Sequence, residues 1–295
     1  MNDFILTTDS GMCPLNHENI VVLQDQITDS DNNAYRDNEL KAKDIILDDQ
    51  RTYKTAAPLL PDYMDAFTKI LESGKDIIHL SLGSGISTSS VNNAHIVASN
   101  LNQEYEQQVY VIDSLTGSVG GTIYFEKSYH DIINSNLPTK EKVEYLENLK
   151  KRVKTFFYVP DPTGFLRSGR DNSKNNPLSQ KTLTLSSRLL KMVSMKYRVD
   201  FDDYGKLYLK KIFRSKNKNG MMDMVKEIIN EDTIELYNSE MCAIGNLFPK
   251  DIDMEEVRNY IKSFHYFDEI IDSNVGNVVA PYGCYDLCGI SLVKK

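Results

Sequence analysis

The feature that most constrains this chain is a pattern that occurs three times in its first half. An apolar strand runs into a small polar loop, and a helix follows. The fullest copy is Lys75–Ala94, where the run Ile77-Ile78-His79-Leu80 leads into the Gly/Ser/Thr loop Gly83–Ser90. Ala94, Val97, Ala98 and Leu101 then recur at helical spacing. The other copies are Phe4–Thr8 into Asp9-Ser10-Gly11, and Val109–Ile112 into Asp113-Ser114, followed by Gly117, Ser118, Gly120 and Gly121. Alternation of this kind predicts a mainly parallel sheet in a three-layer α/β/α arrangement. It also gathers Asp9, Ser10, Ser87, Asp113 and Ser114 on one edge, where open α/β sheets bind ligands. Backbone N–H groups and hydroxyls at a helix N-terminus seat a carboxylate or phosphate. The competing reading of the same residues is turns, caps and loop ties.

Further elements follow in order. Ile20–Leu23 reads as a strand, and Thr28–Asp49 as loop plus a short amphipathic helix. Tyr53–Pro58 is a loop leading into a helix near Pro61, with Met64, Phe67, Ile70 and Leu71 inward and Gly74 as its C-cap. Pro138-Thr139 opens a helix to about Val153, which places a domain boundary at 154/155. Beyond it the expectation is a two-layer α/β domain with a mixed sheet. Its strands are Thr155–Val159, a hairpin around Asp202-Asp203-Tyr204, and segments near Thr233–Tyr237, Val275–Ala280 and Gly289–Val293. Helices start near Met222 and after Asp253.

Composition excludes several classes. A net charge of −8 argues against nucleic acid as a partner, with Lys206–Lys218 as the main basic run. Four cysteines without a C-x-x-C pair make neither a disulfide framework nor a zinc site, and the five histidines have no metal spacing. No metal or cofactor is expected. The first residues have no basic flank, and no stretch reaches the roughly 18 apolar residues of a membrane span, so the expectation is cytoplasmic. There is no G-x-S-x-G elbow, Walker loop or ordered G-x-G-x-x-G. Hydroxyls and backbone amides without an evident base are equipment for binding an anion, which points to a non-enzyme.

Five blocks carry a resemblance: Thr7-Thr8-Asp9-Ser10, Tyr53–Pro58, Ser84–Ser89, Val111–Ser114 and Gly164–Arg170. In this order and spread over nearly the whole chain, they resemble the DegV family of fatty-acid-binding proteins that serve a bacterial fatty acid kinase. The resemblance implies the DegV-like (EDD) two-domain fold, with residues 1–154 and 155–295 as the domains. It implies one long-chain fatty acid held between them, its carboxylate bonded by a Thr, a Ser and a C-terminal His. It also implies a dihydroxyacetone-kinase-type partner that phosphorylates that carboxylate for phospholipid synthesis, and it allows transient contact with a membrane surface.

By this resemblance the Thr corresponds to Thr55 and the Ser to Ser87, with Ser84 and Ser89 as substitutes because the loop carries an extra residue. The family's T-S-x-P-S is Thr-Ala-Ala-Pro-Leu here, and its C-terminal H-x-G is Ala280-Pro281-Tyr282-Gly283. Tyr282 then offers a phenol in place of the imidazole, and head-group affinity is expected to change little between about pH 5.5 and 7.5, where an unperturbed His titrates. Arg167 and Arg170 lie in the segment the family uses for docking the kinase; their alternative role is a surface salt bridge. Two other functions remain: a carrier of the same fold for another anionic ligand, and a hydrolase or transferase whose Ser-rich edge supplies a nucleophile.

Overall fold

The structure, a computed structural model, describes residues 3–162, 195–214 and 219–295. In its first part the chain forms β1 (Phe4–Asp9), β2 (Ile20–Leu23), β3 (Gln26–Asp29), β4 (Ala34–Arg36), α1 (Ala42–Leu47), β5 (Tyr53–Ala56) and α2 (Leu60–Glu72). It continues as β6 (Asp76–Ser81), α3 (Thr88–Glu104), β7 (Val109–Asp113), α4 (Val119–Ile133) and α5 (Thr139–Leu149). The expected parallel sheet is present, in the order β2-β1-β6-β7. Parallel neighbours need crossover connections, and the helices supply them.

The period of two along β6 shows how the sheet divides its side chains. Ile77 packs with Tyr63, Phe67 and Leu71 of α2 and with Val97 and Leu101 of α3. Ile78 and Leu80 point the other way, into a core shared with Ile123, Tyr124 and Phe125 of α4 and Leu146 and Leu149 of α5.

The remaining elements are β8 (Val153–Val159), β9 (Met195–Phe201), β10 (Leu207–Arg214), α6 (Gly220–Ile228), β11 (Tyr237–Asn246), α7 (Met254–Lys262), β12 (Glu269–Asn274) and β13 (Cys288–Lys294). They build a mixed sheet in the order β10-β9-β8-β13-β11-β12, in which only the β11–β12 pair is parallel. Phe157, Val159, Val199 and Ala243 face the α4 core, while Phe156, Tyr158, Cys242 and Ile244 face α6 and α7. Helix α4 is therefore packed between the two sheets. Close approach is what Gly121 allows, since a Cβ there would stand 2.5 Å from the Met12 carbonyl oxygen.

Several boundaries differ from the sequence expectation. Residues 28–49 are more ordered than a loop and helix: β3 pairs with β4 and with β5 in a small antiparallel sheet. Tyr53–Ala56 is accordingly a strand, not a loop. Helix α5 stops at Leu149, and Val153 already belongs to the mixed sheet. The strand expected near Thr233–Tyr237 starts only at Tyr237, after a 3-10 turn over Ile234–Leu236. Val275–Ala280 is no strand, because Asn277–Tyr282 forms a 3-10 turn containing Pro281, which has no N–H for a ladder.

Candidate ligand-binding cleft

A cleft enclosing about 880 Å³ of empty space, its open mouth included, lies where the strand ends of the parallel sheet meet the inner face of the mixed sheet. Most of its wall is apolar. Leu82 and Ile86 come from the segment after β6, Phe157 and Val159 from β8, and Phe201 and Leu207 from the β9–β10 hairpin. Five polar side chains interrupt that wall: Asp25, Thr55, Ser87, Ser118 and Tyr282. Among the described residues no Lys, Arg or His lines it.

Three of the side chains expected at the site meet here. Thr55 sits on β5, in register with Ile27 of β3. Its N–H donates to the Tyr282 hydroxyl at 3.1 Å, and its own Oγ1 lies 3.0 Å from that hydroxyl. Ser87 is the N-cap of α3, and its Oγ accepts from the Ser90 hydroxyl at 2.8 Å and the Ser90 N–H at 3.4 Å. Because both bonds are accepted, the Ser87 hydrogen remains to donate.

The proposed substitutes, Ser84 and Ser89, do not line the cleft. The Ser84 N–H is tied to Asp113 Oδ1 at 2.9 Å, and Ser89 is exposed in the first turn of α3. Arg167 and Arg170 lie outside the described residues.

The strand-end aspartates are loop ties. Asp9 is fully buried and accepts from the Tyr63 hydroxyl at 2.6 Å, the Ser81 hydroxyl at 3.0 Å and the Leu82 N–H at 2.7 Å. His79 Nε2 stands 3.4 Å from its Oδ1. Burial alone would raise its carboxyl, but the His79 charge and these hydrogen bonds hold it below the ordinary value. Asp113 Oδ1 accepts from the N–H groups of Ser84 and Leu115.

Sequence reasoning did not single out two of the cleft residues. Asp25, in the turn between β2 and β3, accepts at Oδ2 from the Gly11 N–H at 2.8 Å and the Ser10 hydroxyl at 3.0 Å. Burial pushes this carboxyl well above the ordinary range; the charges of Asp9 and Asp37 add to the rise, while the Gly11 and Ser10 bonds oppose it. Ser118, the N-cap of α4, has φ +56° and a buried hydroxyl with no hydrogen-bond partner. Their one sequence signal is a place in the loop after a sheet strand, Asp25 after β2 and Ser118 after β7, which ordinary turn residues share.

The comparisons with known proteins agree with this architecture. A family model described as "Uncharacterised protein, DegV family" matches residues 6–295. The chain belongs to the DegV family. Within it, a DegV domain-containing protein of Staphylococcus aureus (strain COL) is 23% identical over 250 residues, covering 84% of this chain and 81% of that protein. The structure of DegV, a fatty acid binding protein from Bacillus subtilis, superposes with a TM-score of 0.79 at 19% identity, covering 100% of each chain. That of a stearic acid-binding protein from Eubacterium ventriosum gives 0.77 at 21% identity, over 100% of this chain and 99% of the other. These DegV-family structures share the fold described above, and no helix among the described residues is long and apolar enough to cross a membrane.

Proposed function

We propose that this DegV-family protein is a carrier that holds one long-chain fatty acid in the cleft, with its carboxyl group at the end marked by Thr55, Ser87 and Tyr282. The observation that carries the reading is the character of the cleft: a largely apolar wall interrupted by the hydroxyls of Thr55, Ser87, Ser118 and Tyr282, with no cationic side chain among the described lining residues. An alkyl chain gains from burial there at roughly 25 cal/mol per Å², and the hydroxyls satisfy its head. The fatty-acid-binding relatives of the same fold add to it. In this reading residues 1–154 and 155–295 are the two domains between which the ligand lies.

Mass spectrometry of organic extracts of the purified protein tests the proposal, and a co-purifying long-chain acid is the expected result. A protein that is empty and takes up no fatty acid when titrated refutes it. The carrier has no catalysis of its own. A Ser-dependent hydrolase would need a base beside Ser87, and the described cleft residues include no His.

The finer part of the proposal is that the bound carboxylate is presented to a dihydroxyacetone-kinase-type fatty acid kinase through Arg170 and Arg167. Charged interface contacts act on association and specificity more than on a ligand pocket. Arg170→Ala should therefore leave fatty-acid affinity intact while acyl-phosphate formation by the kinase falls. A loss of affinity or of thermal stability in that variant would assign the arginine a structural role instead.

A further inference from the structure

The cleft meant for a carboxylate already contains a carboxyl group. Asp25 lies 2% exposed in its wall, and the residue after it, Gln26, is the strand partner of Ala56, next to Thr55. The hydrogen bonds that the Asp25 side chain accepts fall on Oδ2, from Ser10 and Gly11. On the far side of Gly11, whose carbonyl accepts from the Ser118 N–H at 2.8 Å, the Ser118 side chain enters the same cleft. It is 5% exposed and its hydroxyl has no partner, which is costly in a folded protein unless a ligand satisfies it. Ser118 also opens a 15-residue helix, whose N-terminal N–H groups and dipole favour negative charge.

Two ionised carboxylates do not share a water-poor cavity without a cation. They share one proton instead. We propose that the ligand's carboxyl group binds as one half of an acid–carboxylate pair completed by Asp25, with the Ser118 hydroxyl donating to it. This deepens the fatty-acid reading and rests on it.

The pair holds one proton and one negative charge for two carboxyls, and the proton sits between an Asp25 oxygen and a ligand oxygen. The groups around Asp25 keep that proton in place. Asp9 from β1, balanced by His79 of β6, and Asp37 after β4 are acidic, and the uncharged Cys13 thiol and Tyr63 phenol also face it. Burial acts in the same direction. The expectation from the missing histidine concerns the range in which an imidazole titrates; this dependence has another origin, with Asp25 as the titrating group.

The test is titration of hexadecanoic acid and hexadecan-1-ol into the whole protein at pH 7 and pH 9. Acid affinity should be lower at the higher pH, because each pH unit above the ionisation of Asp25 costs a factor of about ten. Affinity for the alcohol should not change. Asp25→Asn keeps the acceptor for Gly11 and gives the ligand an amide donor, so its acid affinity should be the same at both pH values. Ser118→Gly suits φ +56°, so it should melt at or above the parent temperature while acid affinity drops by about tenfold.

A parent affinity that is flat with pH, or a pH dependence that survives Asp25→Asn, overturns the pair. Unchanged acid affinity in Ser118→Gly overturns the role of the hydroxyl. If neither lipid binds at either pH, the fatty-acid reading fails, and this inference fails with it.

Discussion

The hydroxyls of Thr55 and Tyr282 lie 3.0 Å apart although 227 positions separate them in the chain. The Thr55 N–H adds a second bond to the same phenol. This contact latches the small antiparallel sheet to the 3-10 turn before β13, and it places two hydroxyls side by side in the wall of the cleft.

If the two act as one unit, Tyr282→Phe and Thr55→Ala should each weaken fatty-acid binding by about 10- to 150-fold, since a hydrogen bond to a charged group contributes roughly 1.5–3 kcal/mol. The double variant should then be no more than slightly worse than either single one. Calorimetric titration of the four proteins measures this. Parent-like affinity in both single variants would place the head group elsewhere.

Ser87 has two roles that substitution can separate. Replacing an N-cap serine by alanine costs about 1 kcal/mol, but by glycine only a few tenths. Ser87→Ala should therefore melt measurably lower than Ser87→Gly, while both lose the donor and weaken binding alike. Equal melting temperatures would remove the cap from the account, and undiminished binding would remove the donor.

Gly85 fixes the hairpin that forms part of the wall. A Cβ at this position would stand 2.0 Å from the Gly205 carbonyl oxygen and 2.6 Å from the Lys206 nitrogen. Neither backbone atom can turn aside as a side chain would. Gly85→Ala should displace the β9–β10 turn and with it Phe201 and Leu207, lowering both the melting temperature and fatty-acid affinity. The overpacking penalty is about 1–3 kcal/mol. Thermal melts and a titration on the same sample check it, and a variant that behaves like the parent contradicts the contact.

Asp9 contributes to the acid limb of stability. Its carboxyl is held below the ordinary value of about 3.9 in the folded protein, so its stabilising contribution is complete above that value and is lost as pH falls through the lower folded one. Asp25 has the opposite sign: its raised carboxyl weakens the fold as pH rises between its unfolded and folded values. Asp9→Asn should destabilise by about 3–5 kcal/mol by leaving buried His79 without its carboxylate, and should make the acid limb shallower. Denaturant unfolding between pH 2.5 and 6, a range set at about the carboxylate value, measures both effects. A parent-like acid limb in the variant would show that another carboxyl governs it.

The amino-acid sequence by itself determined the parallel sheet and its flanking helices, because Phe4–Asp9, Asp76–Ser81 and Val109–Asp113 carry their own apolar runs and the helices between them their own periodicity. The family resemblance in the sequence also pointed to Thr55, Ser87 and Tyr282, which line the cleft, and to Ser84 and Ser89, which do not.

Only the tertiary structure decided the rest. The strands Gln26–Asp29 and Tyr53–Ala56 are short and largely polar, so nothing local marks them; each is a strand because the other lies beside it. Asp25 and Ser118 read as ordinary turn residues in the sequence. Their character comes from burial, a neighbouring carboxylate and an unmet hydrogen bond, and these arise only when the turn before β3, the start of α4 and the Gly11 backbone come together around one cavity.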